Sequence, residues 1–519
     1  MATTSEGETT TIGYLLDAFA QQPSQVAITH ARGEWTYGDL LDGINRMARV
    51  LTAQGLRRGD VVAVATGAEP ETFVLRFAAN AIGCATWIIY DDLGPSLLVE
   101  MLRYVEPTAV VFTPGRDDDR LLAAIEQVPG VTALALGRHP DAANLTELAA
   151  AESAEPIAIQ ARPEDLSAIR LTGGSTGTPK GIPHTFALPG YYSPAALRMW
   201  KTTQLMCTAI GHLGGTLAEV VLAAGGRVVL QENAFDPGQV LAAIEREGIN
   251  FIWMQPSMLH RLLDHPALES TDTSSLRLLM ITGGPAAPER IVQALKRFGP
   301  IITTGYGTNE IGQITLLGPA EQQRPELLMT VGRPMQRVEV SIRDGDAESL
   351  ETGATGEIWV RGPGLMSGYY KRPDLTAEAL RDGWFHTGDL GFLDAEGYLS
   401  IVGRSKDTIV GVGQTVYPAQ IDKVLHRDPR IQQAVVFGVI IGADRDERIA
   451  AAVVPTPPGH LSGEDVTALV RAEMGEAYAP EVVLILAQMP TIGSNKPDRT
   501  VLRRLAADRL EIQAPPEAT

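Results

Sequence analysis

Five short segments of this chain carry side chains suited to phosphate and carboxylate chemistry. The first is Leu171–Gly181, LTGGSTGTPKG. Gly173, Gly174 and Gly177 let the backbone reach φ > 0 and turn its N–H groups toward an anion. Ser175, Thr176 and Thr178 add hydroxyl donors, and Lys180 adds a point positive charge, which together suit a phosphate ester. The segment is not a Walker loop, because Lys180 stands between Pro179 and Gly181 instead of opening a helix. Nor does it read G-x-G-x-x-G after a strand.

The second segment is Gly305-Tyr306-Gly307-Thr308-Asn309-Glu310, where a tyrosine offers a flat face to a base and Glu310 a hard oxygen to Mg²⁺. In the third, Gly383–Asp389, the carboxylate of Asp389 can accept from a ribose diol. The fourth, Gly403-Arg404-Ser405-Lys406-Asp407, is a charged joint where the composition shifts. The fifth, Asn495-Lys496-Pro497-Asp498-Arg499, sets a lone lysine among turn residues. Any one of these is also compatible with a plain turn. The set carries the argument.

The elements that must position them alternate. Asp60–Ala65 reads as a buried strand, Glu69–Ile82 as a helix and Ala85–Ile89 as a strand, with further strands at Ala109–Phe112 and Val131–Leu136. The alternation resumes after Leu171, with strands at Arg227–Leu230, Phe251–Met254, Leu278–Ile281 and Ile301–Thr304 between helical stretches. Two of these strands are expected to end in glycine turns, Gly283-Gly284-Pro285 and Gly305-Tyr306-Gly307, where open α/β sheets bind ligands. The fold class expected is therefore α/β, with doubly wound parallel sheets. From about Met329 to Val402 short strands and turns indicate a small β-barrel or distorted sheet, and past Gly403 a compact α+β unit follows.

The whole chain sets outer limits. Its 519 residues exceed one core, and 62 acidic against 43 basic residues give a net charge of −19, with no basic stripe for nucleic acid. Cys84 and Cys207 cannot make a disulfide framework or a zinc site. MATTSEGETT lacks the basic and apolar regions of a signal peptide, and the apolar stretch Phe77–Tyr90 is too short to span a bilayer. The expectation is a cytoplasmic protein, monomer or homodimer, with no stable membrane anchor.

Taken in order, the segments resemble those of the adenylate-forming superfamily: acyl-CoA synthetases, stand-alone and nonribosomal adenylation domains, and the beetle luciferases. The resemblance covers nearly the whole chain. It implies a large N-terminal domain over residues 1–403, made of two doubly wound α/β subdomains plus a small β-barrel, a hinge at 404–406, and a small mobile α+β domain over 407–519. It implies that Thr172, Gly173, Gly174, Ser175, Thr176, Gly177 and Lys180 form the mobile loop over the β- and γ-phosphates of ATP, with Thr176 also near Mg²⁺. Gly283, Gly284 and Pro285, with Gly305, Tyr306 and Gly307, would wall the adenine; Thr308, Asn309 and Glu310 would also bind ATP, with the Asn309 amide able to donate to an α-phosphate oxygen and Glu310 holding the metal. Asp389 and Arg404 would grip the ribose, and Lys496 would reach the carboxylate and α-phosphate as the catalytic lysine. His212, in GHLGG, matches the position beside the reacting carboxylate; Lys406 falls at the hinge, and Gly411 and Gly413 on the loop lining a tunnel for CoA or a carrier-protein phosphopantetheine.

The chain departs from the family pattern at Gly173, Asn309, Gln420 and Asn495, which touches the thioester-forming step more than adenylation. The presumed acyl pocket, with His212, Gly214, Gly215, Gly283 and Gly305, is crowded with small residues and has no acid to pair an α-amino group. That reading favours a bulky or long apolar acid, with an aryl acid second. No carrier domain is attached, so the acceptor is expected to be CoA or a separate acyl carrier protein. An adenylate-only enzyme and a non-catalytic nucleotide-binding relative are the alternatives.

Overall fold

The computed structural model describes residues 10–91, 93–172, 180–188, 201–231, 235–284, 286–411, 414–440, 447–456, 461–492 and 496–513. Val61–Ala65 is an unbroken apolar run because helices cover both faces of its sheet. It pairs in parallel with Ala85–Ile88 on one side and Ala109–Phe112 on the other, inside a seven-stranded sheet. The crossover helices Pro70–Ala81 and Pro95–Val105 both begin on proline, whose fixed φ suits a first turn. At one edge Leu166–Thr172 and Lys180–Thr185 form an antiparallel hairpin, so residues 173–179 connect two strands.

The nine-stranded second sheet runs parallel through Arg227–Leu230, Thr203–Met206, Phe251–Met254, Leu278–Ile281 and Ile302–Thr308. Its far edge comes from the start of the chain: Val26–His30 pairs in parallel with Arg227–Leu230, and Gly33–Thr36 folds back on it. The first elements of the sequence therefore belong to the second sheet.

Gly305-Tyr306-Gly307 is not the turn expected after a strand. Strand Ile302–Thr308 runs straight through it and pairs antiparallel with Gly312–Leu317. The glycines are there for clearance: a Cβ on Gly305 would lie 2.4 Å from Gln313 Nε2 and the Thr315 carbonyl, and one on Gly307 2.5 Å from the Gly312 carbonyl. The turn itself falls at residues 309–311, just before Gly312 at φ +81°.

One large core joins the two sheets, with Phe19, Tyr37, Phe73, Leu222 and Val228 all fully buried in it. A side chain of this kind contributes about 1.5–3 kcal/mol when removed from water. Tyr37 donates to the carbonyls of Leu222 at 3.0 Å and Gly226 at 2.6 Å, so its buried hydroxyl is satisfied. A five-stranded antiparallel sheet, Glu339–Arg343 to Leu399–Arg404, packs as a third unit. The chain closes with a smaller α+β unit: Ile431–Ile440, Glu447–Pro455 and Val482–Ile485 carry the helices Pro418–Leu425, Gly463–Met474 and Arg499–Gln513. No helix among the described residues is long and apolar enough to cross a membrane.

Candidate nucleotide and carboxylate site

Asp389 lies on strand Trp384–Leu393, directly opposite Arg404 across a hairpin. It is 5% exposed, and two donors converge on it. The Tyr306 hydroxyl reaches Oδ2 at 2.5 Å and Arg404 Nε reaches Oδ1 at 2.9 Å. Burial, then the Asp389 charge, hold the Tyr306 hydroxyl well above its ordinary pKa, so it stays a donor. The Thr387 hydroxyl accepts from the Asp389 N–H at 3.0 Å and fixes the strand there. Three residues far apart in sequence thus form one polar wall.

Glu310 stands at the tip of the hairpin leaving that wall. Its main-chain carbonyl accepts from Met366 N–H at 2.7 Å, and Tyr369 donates its hydroxyl to Oε1 at 3.0 Å. The Tyr369 ring lies 4.9 Å from Lys180 Nζ, within cation–π range. The neighbouring Tyr370 N–H donates to the Gly181 carbonyl at 2.8 Å, and Gly181 N–H in turn donates to the Tyr104 hydroxyl at 3.3 Å. Segment 366–370 therefore ties Glu310 to the far end of the glycine-rich loop. The Thr308 hydroxyl, two residues before Glu310, is buried and has no hydrogen-bond partner among the described residues. Asn309 is exposed.

His212, expected beside the reacting carboxylate, caps helix Leu213–Ala223 and stacks on Tyr90 with ring centroids 5.1 Å apart. The glycines here and at Gly305 do not make a roomy pocket, contrary to expectation. A Cβ on Gly214 would lie 2.5 Å from Thr208 Oγ1 and 3.4 Å from the Trp253 ring, and one on Gly215 would lie 2.0 Å from the Ile210 carbonyl. Close packing demands those glycines. Trp253, 5% exposed, fills the gap from Gly214 to Thr282, to whose hydroxyl its indole N–H donates at 2.7 Å. Gly283, at φ +92°, and Gly284 are exposed just past the end of strand Leu278–Ile281.

Past Arg404 the chain makes a single turn, Ser405–Asp407, with Lys406 exposed. Asp407 faces Arg499 Nε at 3.8 Å, and Arg499 Nη1 donates to the Val436 carbonyl at 2.7 Å. Val436 N–H donates to Asp422 at 2.6 Å. Enclosure by the surrounding chain raises Asp422, part of whose surface is still exposed, to about 7; Arg499 and that N–H oppose the rise and Asp407 adds to it. Lys496 lies three residues before Arg499, on a two-residue strand paired with Thr491–Ile492. Its side chain lies outside the described residues, as do Gly173, Gly174, Ser175, Thr176, Gly177, Pro285, Gly413 and the side chain of Thr172. Gly411 ends strand Ile409–Gly411.

The AMP-binding enzyme family matches residues 15–370, and the C-terminal domain of AMP-binding enzymes matches 420–496. The chain belongs to the AMP-binding enzyme family. Among its relatives are a feruloyl-CoA synthase of Amycolatopsis sp, 31% identical over 93% of this chain and 96% of that one, and a medium/long-chain fatty-acid–CoA ligase of Mycobacterium tuberculosis, 30% identical over 90% and 85%. The solved amide bond synthetase of Marinactinospora thermotolerans is similar too, with 32% identity, a TM-score of 0.83, and coverage of 95% of this chain and 99% of that one. This AMP-binding enzyme uses ATP to activate a carboxylic acid as an acyl-adenylate.

Within this AMP-binding enzyme, Tyr306, Asp389 and Arg404 form one cluster, and Glu310 and Lys180 meet at Tyr369 in a second, at the end of the hairpin that carries Tyr306. Tyr369, Tyr90, Trp253 and Arg499 were not picked out by sequence. A Gly-Tyr-Tyr run with Gly368 at φ +145° was the one available signal for Tyr369. Tyr90 and Trp253 carried none, and Arg499 was noted only as the last residue of the fifth segment.

Proposed function

We propose that the chain activates a flat aromatic carboxylic acid and transfers the acyl group to the thiol of CoA, as an acid-thiol ligase. A carboxylate is a poor electrophile because its leaving group would be oxide. One of its oxygens attacks the α-phosphorus of ATP, the bond to the bridging oxygen breaks, and pyrophosphate leaves with that electron pair. The mixed anhydride then has AMP as its leaving group, and a thiolate attacking its carbonyl carbon gives the thioester.

The Tyr306–Asp389–Arg404 cluster is the observation that carries this reading. A buried carboxylate already gripped by two donors is set to accept from a ribose diol without rearrangement. Lys180 faces the phosphates, and Lys496 supplies positive charge between the carboxylate and the α-phosphate, a preorganised electrostatic role needing no general base. Mg²⁺, when bound, screens the phosphates and stabilises charge developing on phosphorus. Glu310 and Thr176 would hold it. The fit is supported, among the described residues, by the partnerless buried Thr308 hydroxyl and by Tyr369, which occupies Oε1 and leaves Oε2 without a donor. His212 and its Tyr90 support would line the reacting carboxylate.

Trp253 supports the aromatic assignment, because an indole spanning Gly214 and Thr282 limits depth while offering a flat face. The feruloyl-CoA synthase is in keeping with it. The hinge at 404–406, with Gly411 and Gly413 entering after a rotation that withdraws Lys496, would give the thiol its own walls. The similarity to an amide bond synthetase favours a second reading, in which an amine takes the place of the thiol. The test is ATP–pyrophosphate exchange across aryl, fatty and polycyclic acids, followed by CoA or an amine. Exchange with aryl acids and thioester formation are expected. Amide formed without thioester selects the second reading, and no exchange with any acid contradicts both.

A further inference from the structure

Among the described residues, Lys180–Thr185 is the last strand of the seven-stranded sheet, so one of its sides faces no further strand. Gly181, directly after Lys180, bonds outward on that side through both of its main-chain groups. Its carbonyl accepts from Tyr370 N–H at 2.8 Å, and its N–H donates to the Tyr104 hydroxyl at 3.3 Å. The same hydroxyl donates to the Tyr370 carbonyl, which closes a ring of three hydrogen bonds through Gly181, Tyr104 and Tyr370. The fit is close: a Cβ on Gly181 would lie 3.1 Å from Ile169 Cγ2, 3.2 Å from Tyr370 Cβ and 3.3 Å from the Tyr104 hydroxyl.

Tyr104 gives this ring a rigid anchor. It lies in the last turn of helix Pro95–Val105, which the fully buried Leu98, Met101, Leu102 and Val105 fix into the core of the first sheet. Two residues on, Glu106 receives Lys371 Nζ at 2.7 Å, so the helix end and the segment around Tyr370 are joined twice. Burial holds the Tyr104 hydroxyl above its ordinary pKa, and it remains a donor. Phenylalanine would serve the packing equally well, with the Tyr104 and Tyr370 ring centroids 5.9 Å apart. Only the hydroxyl ties Gly181 to Tyr370.

One residue upstream on each segment stand Lys180 and Tyr369. Lys180 Nζ lies 4.9 Å from the Tyr369 ring, whose hydroxyl donates to Glu310 Oε1 at 3.0 Å. The hydrogen-bonded ring therefore clamps together the two main chains that carry this contact. We infer that Tyr104 is a positioning residue for the phosphate end of the site: its hydroxyl sets Lys180 against Tyr369 and so fixes the spacing between the Lys180 charge and the Glu310 carboxylate. The inference rests on the reading that puts Lys180 at the β- and γ-phosphates and Glu310 at the metal. Two charges that serve one polyphosphate act together only at a fixed separation, so slack between the segments weakens both.

Tyr104→Phe in the full chain is the test. The KM for pyrophosphate in the exchange reaction should rise about 5–10-fold, with kcat changed by less than about 2-fold. AMP lacks the β- and γ-phosphates, so its affinity by calorimetry should hold, and the thermal midpoint should stay within about 3 °C. In a Lys180→Ala background the same substitution should add less than about 2-fold to that KM. An unchanged KM for pyrophosphate overturns the inference. So does an equal loss of AMP affinity, which means general loosening, and so does full additivity with Lys180→Ala. If Lys180→Ala alone leaves that KM unchanged, the placing of Lys180 falls and takes the inference with it; a Lys180 effect without a Tyr104 effect removes the inference alone.

Discussion

The Tyr306–Asp389–Arg404 wall and the Lys496 strand, to which the proposed mechanism gives nucleotide binding and catalysis, are built in opposite ways. At the wall, Tyr306, Asp389 and Arg404 come from three strands of two sheets and are locked to one another at hydrogen-bonding distance. Lys496 rides a strand of two residues, and the Arg499 link to Asp407 and Val436 lies just beyond it. Binding ATP requires a surface that does not rearrange. On the proposed mechanism, a lysine that acts in one half-reaction and withdraws for the next would require the lighter attachment.

Breaking the lysine end should give the largest effect. Lys496→Ala is expected to lower ATP–pyrophosphate exchange by about 10²–10³-fold or more, with ATP affinity from calorimetry nearly unchanged. Breaking the wall should do the reverse. Asp389→Asn leaves the Tyr306 hydroxyl and Arg404 facing a neutral amide, and ATP binding should weaken by about 10–100-fold, a loss of about 1.5–3 kcal/mol. Tyr369→Phe keeps the ring over Lys180 and removes the hydroxyl on Glu310. Affinity for Mg²⁺ with ATP, followed by titration calorimetry with Mn²⁺ as a check, should drop about 10-fold. Trp253→Ala should move acid preference toward longer chains by a similar factor, read as the ratio of kcat/KM for an aryl and a fatty acid.

The smallest effect concerns the C-terminal unit alone. Asp422 ionises in the unfolded chain near 3.8 but in the fold only at about 7. The fold therefore holds a proton that the unfolded chain releases, and stability contributed by the neutral acid declines as pH rises from about 4 to 7. Asp422→Asn should flatten that decline in denaturant melts, be close to neutral at pH 4, and change exchange activity by less than about 3-fold.

Much of the wall was legible before any coordinates because its chemistry depends on rare residue patterns. Glycines beside Tyr306, a lone acid at Glu310 and a carboxylate at Asp389 stand out from their surroundings. Their interlock was not legible, since Asp389 and Tyr306 meet only through strand pairing across separate sheets. The glycines misled in one respect. Gly214, Gly215 and Gly305 suggested an open pocket, whereas neighbouring backbone and the Trp253 ring take up that space. A missing side chain signals that something lies close, and only packing tells whether that is a ligand or the protein itself. The alternation of helix and strand revealed both parallel sheets, but not that Val26–Thr36 crosses to the second, because alternation along the chain does not encode strand order.

The separation of the two half-reactions is tested most directly by single-turnover thiolysis in Lys496→Ala supplied with preformed aryl-adenylate and CoA. The account predicts a rate within a few-fold of the unmodified enzyme while the same variant has lost pyrophosphate exchange. Equal loss of both reactions would contradict it, and would place Lys496 in a single arrangement serving the whole cycle.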